Sequence, residues 1–227
     1  MIGVTENLAS IREFLASATR DAKREPDAVK LLAVSKKQPL SKITAAAAAG
    51  QRDFGENFVQ EGLEKISQTQ GLDLVWHFIG HLQSNKTRVV AEHFQWVHTI
   101  DRIKIARRLS AQRPHYAGDL NVCIEVNVDA EANKSGVTPQ DAHDLATEIL
   151  SLPRLKLRGL MCIPAIRETF EEQREPFRAL ADLRDELAAG GIDLDTLSMG
   201  MTSDYAAAIR EGATIVRIGT ALFGARK

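Results

Sequence analysis

Long apolar runs are missing from this sequence: none reaches the roughly 18 residues that a bilayer-spanning helix needs. A charge bias is missing too. The 227 residues carry 29 basic and 30 acidic side chains, for a formal net charge of -1, so no global field selects a nucleic acid or an anionic membrane as partner. Cysteine is scarce. Cys123 and Cys162 both lie inside apolar, strand-like runs, with neither the spacing of a metal site nor a disulfide framework. They read as buried thiols in a reducing compartment. The first residues, Met1-Ile2-Gly3-Val4-Thr5-Glu6, lack the basic flank and apolar core of a signal segment. Pro-, Gly- or Ser-rich linkers and low-complexity tracts are absent as well. These absences lead to a cytoplasmic chain, one domain over residues 1–227, long enough to bury a full core.

What the sequence does have is a rhythm. An amphipathic helix over about 5–23 places Leu8, Ile11, Phe14, Leu15 and Ala18 on one face. Strand-like runs follow at 31–36, 53–57, 74–80, 95–100, 120–128, 155–163, 196–200 and 214–219, each leading into a helical pattern. Pro39 opens the helix after the first run, and Gly50 closes it. Asp101 is placed to cap a later helix. The long stretch 169–189 is expected to start again or kink at Pro176, and 220–226 opens a last turn or helix. Eight strand-then-helix units of about 25 residues favour a single (β/α)8 TIM-type barrel over a doubly wound sheet. The extra N-terminal helix then covers the bottom of the barrel or its side.

In such a barrel the active face is built from loops at the C-terminal ends of the strands. Reading off those ends gives Lys36, Asn57, His77, Asn127, Met161, Ser198 and the pair Gly219-Thr220. If the first strand alternates, Lys36 shares a face with Leu32 and Val34. A lysine in such a partly apolar pocket is disfavoured as an ammonium ion, which makes a nucleophilic amine available near neutral pH; the alternative is that Lys36 solvates a strand end. On the last strand, Arg217 points inward if Val216 and Ile218 face the helices. An inward guanidinium needs an acceptor, supplied by a ligand or by Asp53, Glu125 or Asp204. Because the first and eighth strands of a barrel are neighbours, Lys36 and Arg217 line adjacent walls. The loops after the last two strands, around Thr202-Ser203 and Gly219-Thr220, combine hydroxyls with glycines that let backbone N–H groups approach an anion. Together they favour a phosphate. A desolvated lysine, an anion cradle and an inward arginine suit pyridoxal 5'-phosphate (PLP). Its aldehyde would join Lys36 as a Schiff base, its phosphate would rest on the last two loops, and its ring nitrogen would face Arg217.

Eight ordered motifs sharpen this reading: Leu32-Ala33-Val34-Ser35-Lys36, Phe54-Gly55-Glu56-Asn57, Trp76-His77-Phe78-Ile79-Gly80, Leu82-Gln83-Ser84-Asn85-Lys86, Lys134-Ser135-Gly136, Arg158-Gly159-Leu160-Met161, Ser198-Met199-Gly200-Met201 and Val216-Arg217-Ile218-Gly219-Thr220. The set closely resembles the pyridoxal phosphate homeostasis protein family, whose fold is like the N-terminal barrel of alanine racemase. The resemblance implies PLP held by Lys36, its ring nitrogen facing Arg217 and its phosphate on the seventh and eighth loops; with the strand ends Asn57 and Ser198, the expected cofactor-binding residues are Lys36, Asn57, Ser198, Met201, Thr202, Ser203, Arg217, Gly219 and Thr220, and no metal site is expected. It also implies a carrier or regulator of vitamin B6 pools without a demonstrated reaction, with PLP-dependent enzymes as acceptors. One departure shows: the family commonly has serine where this chain has Thr202. The segment 77–86 has no chemical role that the sequence reveals, and Lys134, before Gly136, reads as an ordinary exposed lysine, the alternative being a residue that receives or passes on the aldehyde.

Two enzyme readings compete. An amino-acid racemase needs a second base on the opposite face of the cofactor, and only Tyr116 and Tyr205 exist. Tyr116 falls on the wrong side of a barrel, while Tyr205, near the seventh loop, can approach. A Schiff-base aldolase on a phosphorylated substrate uses the same lysine and cradle, but leaves Arg217 without a role. A PLP-binding monomer with little or no turnover is the preferred reading.

Overall fold

A computed structural model describes residues 3–131 and 134–225. Eight parallel strands close into a barrel in chain order. They are β1 (Lys30–Val34), β2 (Asp53–Glu56), β3 (Val75–Phe78), β4 (Trp96–Ile100), β5 (Leu120–Glu125), β6 (Leu155–Met161), β7 (Thr196–Ser198) and β8 (Ile215–Ile218). The seam is the β1–β8 pair, in which Leu32 lies opposite Arg217. Around the barrel run α2 (Leu40–Ala48), α3 (Val59–Gln68), α4 (Thr87–His93), α5 (Ile103–Gln112), α6 (Pro139–Leu150), α7 (Phe170–Ala189), α8 (Tyr205–Arg210) and the short α9 (Thr220–Phe223). The extra helix α1 (Val4–Asp21) packs against α2, α8 and α9. It therefore extends the side of the helical ring, the second of the two placements expected. Asn7 Nδ2 ties it down by donating to the Leu222 carbonyl at 3.0 Å.

Alternation decides what each strand shows to either side. Leu31, Ala33, Val216 and Ile218 face outward into one continuous apolar layer under the helices. Leu32 and Ile215 face the lumen, where they meet Ile79. Arg217 has the inward parity and is 5% exposed, as the pattern predicted.

Several boundaries differ from the sequence reading, each for a local reason. β1 stops at Val34, because Ser35 still donates to Gly55 O at 3.0 Å but its own carbonyl accepts from Gln38 N–H and the chain turns. Lys36 thus sits in the turn between β1 and α2 rather than at the last position of the strand, and Lys37 beside it has φ +57°. Pro39 caps α2 instead of opening it: with ψ 153° it is extended, and Leu40 is the first helical residue. The residue before α5 is Arg102, not Asp101, whose carboxylate is held by the Arg102 guanidinium at 2.7 and 2.8 Å. α7 runs unbroken through the buried Pro176, started by a capping box between Thr169 and Glu172. The last helix ends at Phe223, and Arg226, where the expected turn closed, lies outside the described residues.

Candidate functional site

At the C-terminal ends of the strands a cavity of about 300 Å³ opens, lined by Val34, Lys36, Asn57, Ile79, Ile163, Met201, Thr202, Ser203, Arg217, Gly219 and Thr220. That volume is at the small end of the range for ligand pockets. Of the cofactor-binding residues expected from sequence, all but Ser198 form its wall. Ser198 lies beneath it, on β7, with its Oγ accepting from Arg217 Nη1 at 3.0 Å.

The lysine end is built on a buried ionic cluster. Glu56, the last residue of β2, is fully buried and accepts at Oε1 from Ser35 Oγ (2.6 Å) and from Lys65 Nζ (2.7 Å). Lys65, on α3, also reaches Ser35 O and Glu61 Oε1, both at 2.6 Å. Glu61 Oε1 in turn accepts from the Lys37 N–H. Both residues flanking Lys36 are thereby pinned from outside the barrel. Burial raises the Glu56 pKa, and the hydrogen bonds from Lys65 and Ser35 work against that rise.

The arginine end faces the lumen. Arg217 Nη1 donates to Ser198 O, and Nη2 to Cys162 O at 2.8 Å. None of the acidic residues expected from sequence touches the guanidinium. Among the described residues its direct acceptors are two backbone carbonyls and one hydroxyl, while Asp204 and Glu125 act on it only through space. Asp53 is engaged with Lys30 and His77 at the foot of the barrel. Asp204 accepts from Met201 N–H at 2.6 Å, which shapes the loop after β7. Burial pushes the Glu125 carboxyl up to about 7.

Two glycines let the last loops close on the cavity. Gly200 has φ +91°, a region that L side chains rarely adopt, and a Cβ there would lie 2.6 Å from that of Ala208. A Cβ on Gly219 would lie 3.1 Å from Val34 O. With Thr202, Ser203 and Thr220 exposed along the rim, this end offers hydroxyls and closely approaching backbone. At the other side of the cavity Asn57 keeps a buried Oδ1 with no donor among the described residues. Such an acceptor suits a polar ligand.

The profile of the alanine racemase N-terminal domain family matches residues 7–227. The Pseudomonas aeruginosa pyridoxal phosphate homeostasis protein is 54% identical over 226 residues, covering 100% of this chain and 97% of that protein. Its Escherichia coli K12 counterpart is 50% identical over 229 residues, covering 100% and 98%. This chain belongs to the pyridoxal phosphate homeostasis protein family. Among solved structures, PipY of Synechococcus elongatus, described with PLP bound, is 37% identical and superposes with a TM-score of 0.84 over 97% of this chain and 100% of that one. Alanine racemase from Corynebacterium glutamicum, at 17% identity and TM-score 0.69 over 93% of this chain and 61% of that one, shares the fold.

Within this family frame some sequence expectations are corrected. His77 is not at the mouth; it is mid-lumen on β3 and fully buried. Asn127 serves its own loop, bonding both polar atoms of its side chain to Glu131 backbone. Met161 packs with Trp96 and Cys123 inside the barrel. Lys134 pairs with Glu131 at 2.6 Å. Tyr205 lines hollows beside α1 and not this cavity. The sequence reading missed His98, on β4, although its parity with the inward Trp96 is legible, and it missed the Glu56–Lys65 cluster.

Proposed function

We propose that this protein binds PLP in the cavity at the barrel mouth, with the whole chain, residues 1–227, serving as one PLP-binding domain. The observation that carries the reading is that Lys36, in the turn after β1, and Arg217, on the adjacent β8, line one small cavity, with hydroxyl-bearing loops beside them. Lys36 supplies the amine for a Schiff base to the cofactor aldehyde. Thr202, Ser203, Gly219 and Thr220 supply donors for the phosphate, and Asn57, Met201 and Ser198 complete or support the wall. The PLP-bound relative at 37% identity supports the same assignment.

Bound PLP supplies an electron sink for chemistry at an amino-acid α-carbon. The side chains here restrain that chemistry. A guanidinium does not release its proton, so Arg217 leaves a ring nitrogen that faces it unprotonated, which makes a poorer sink. The second base that racemisation needs is not furnished by Tyr205, which faces α1. A carrier with little or no turnover is therefore the reading we adopt: a cytoplasmic monomer, its two thiols buried and unpaired, that hands PLP to PLP-dependent enzymes.

The test is spectral and chemical. Protein loaded with PLP should absorb visible light, and borohydride should fix the cofactor at Lys36 in peptide maps. Lys36→Ala should abolish both signals. Fixation at another lysine, or a colourless wild type, overturns the assignment. Exchange of amino-acid α-protons at enzyme-like rates, about 1 s⁻¹ or more, overturns the carrier.

A further inference from the structure

A row of hydrogen-bonded side chains crosses the lumen from mouth to foot. Arg217 Nη1 donates to Ser198 Oγ at 3.0 Å. Ser198 Oγ lies 2.8 Å from His98 Nδ1, and His98 Nε2 lies 2.9 Å from His77 Nδ1. His77 Nε2 reaches Asp53 Oδ1 at 3.0 Å. The two histidines and Ser198 are fully buried. At the foot, Lys30 Nζ lies 3.1 Å from the same Asp53 oxygen, beside a separate hollow of about 410 Å³.

The chemistry of the two ends sets the direction of every bond between them. Asp53 is ionised: burial opposes its charge, but the hydrogen bond from His77 and the nearby Lys30 bring its pKa below the usual range. As a carboxylate it only accepts, so His77 carries its hydrogen on Nε2. Burial lowers the His77 pKa against the pull of Asp53, and lowers that of His98 further because His77 and Arg217 add to it, so each ring is neutral near pH 7 and holds one hydrogen. His77 Nδ1 must then accept from His98 Nε2–H. His98 Nδ1 accepts from the Ser198 hydroxyl, whose oxygen accepts from Arg217. One hydrogen serves each contact, with none left over.

We propose that Ser198, His98, His77 and Asp53 are positioning residues for Arg217, a one-way relay that carries the polarity of the Asp53 carboxylate across the barrel to a guanidinium that no carboxylate of the described residues contacts. The consequence rests on the PLP reading above: the relay fixes the guanidinium where the cofactor ring nitrogen would meet it. Bonds aligned in this way polarise one another. The arrangement also explains why two neutral histidines occupy the centre of a barrel whose lumen could have been filled with aliphatic side chains.

The first test needs no cofactor. Long-range ¹H–¹⁵N NMR of the wild-type protein should show His77 and His98 as neutral Nε2–H tautomers near pH 7. An Nδ1–H tautomer or a protonated ring at either site overturns the relay. The second test is a double-mutant cycle on PLP affinity. Asp53→Asn should weaken PLP binding about tenfold, the scale of one charge-assisted hydrogen bond, and the loss should vanish in an Arg217→Met background. An equal loss in both backgrounds means that Asp53 acts only on the fold, which refutes the relay. If wild-type protein fixes no PLP at Lys36, the cofactor reading fails, while the tautomers still decide the relay.

Discussion

Phe54, Phe78 and Phe94 pack in the layer between sheet and helices, within one continuous apolar cluster that runs from Leu8 to Phe223. Inside the barrel the apolar contacts shrink to two small groups, Leu32 with Ile79 and Ile215, and Trp96 with Cys123 and Met161. His77, His98, Glu125, Ser198 and Arg217 share the space around them. The lumen of such barrels is usually filled by branched aliphatic side chains in layers. Here the shell holds the fold together and the lumen is given over to chemistry. Buried polar groups are tolerable only when paired, and the row from Arg217 to Asp53 meets that condition.

The comparison breaks at a buried ion pair, and that pair predicts the largest effect. Lys65 and Glu56 form a buried ion pair on the shell side, 2.7 Å apart, with Lys65 7% exposed. Lys65→Met leaves the Glu56 carboxyl buried against Ser35 alone. Removing one partner of a buried pair costs about 3–5 kcal/mol, read as a lower urea midpoint at pH 7. Replacing both, as Lys65→Met with Glu56→Leu, should recover most of that loss, because matched apolar side chains suit the shell. A single variant as stable as the wild type would show that the shell tolerates charge and is not the opposite of the lumen.

The second effect belongs to the lumen. The folded pKa of Glu125, about 7, is above the ordinary 4.5 because burial and Asp101 disfavour its charge, with Arg217 offsetting part. A raised carboxyl pKa contributes stability that is complete below the unfolded value. It is lost as pH rises through the folded one. Wild-type protein should therefore lose about 3 kcal/mol relative to Glu125→Gln as pH rises from the unfolded pKa through the folded one, because a tenfold change in proton affinity is worth about 1.4 kcal/mol. Parallel stability curves for the two proteins would place Glu125 in contact with water rather than in the lumen.

Much of this division is legible in the chain, because the shell obeys periodicity. Alternating positions such as Leu31/Ala33 and Val216/Ile218 announce strands with one apolar face, and their parity alone sends Arg217 inward. The mouth is legible because Lys36, Thr202 and Gly219 follow strands whose ends must meet in a closed barrel. The lumen is less so. His77 reads as a strand end although it lies inside the run 74–80, and its partner His98 is 21 positions away on another strand. Whether two inward residues touch depends on the register and stagger of the barrel, and local pattern does not encode that. Lys65 is hidden differently: on a helix a lysine predicts solvent, and only the tertiary approach of α3 to Ser35 makes it a buried cation.

The smallest expected effect tests the border between the two regions, at the rim. Thr202 stands where the resemblance leads one to expect serine, on an exposed loop position lining the cavity beside Ser203. If the cradle uses its hydroxyl, Thr202→Ser keeps the donor and sheds a methyl group that packs on little, so PLP affinity should change by less than about twofold. Thr202→Val keeps the shape and removes the donor. One neutral hydrogen bond is worth about 0.5–1.5 kcal/mol, so affinity should drop by about two- to twelvefold, with folding stability unchanged because the side chain is exposed. Titration of both variants with PLP decides the matter. Equal affinities would mean that the Thr202 hydroxyl gives the phosphate nothing, and that Ser203, Thr220 and the backbone N–H groups of the glycine-built turns hold it instead.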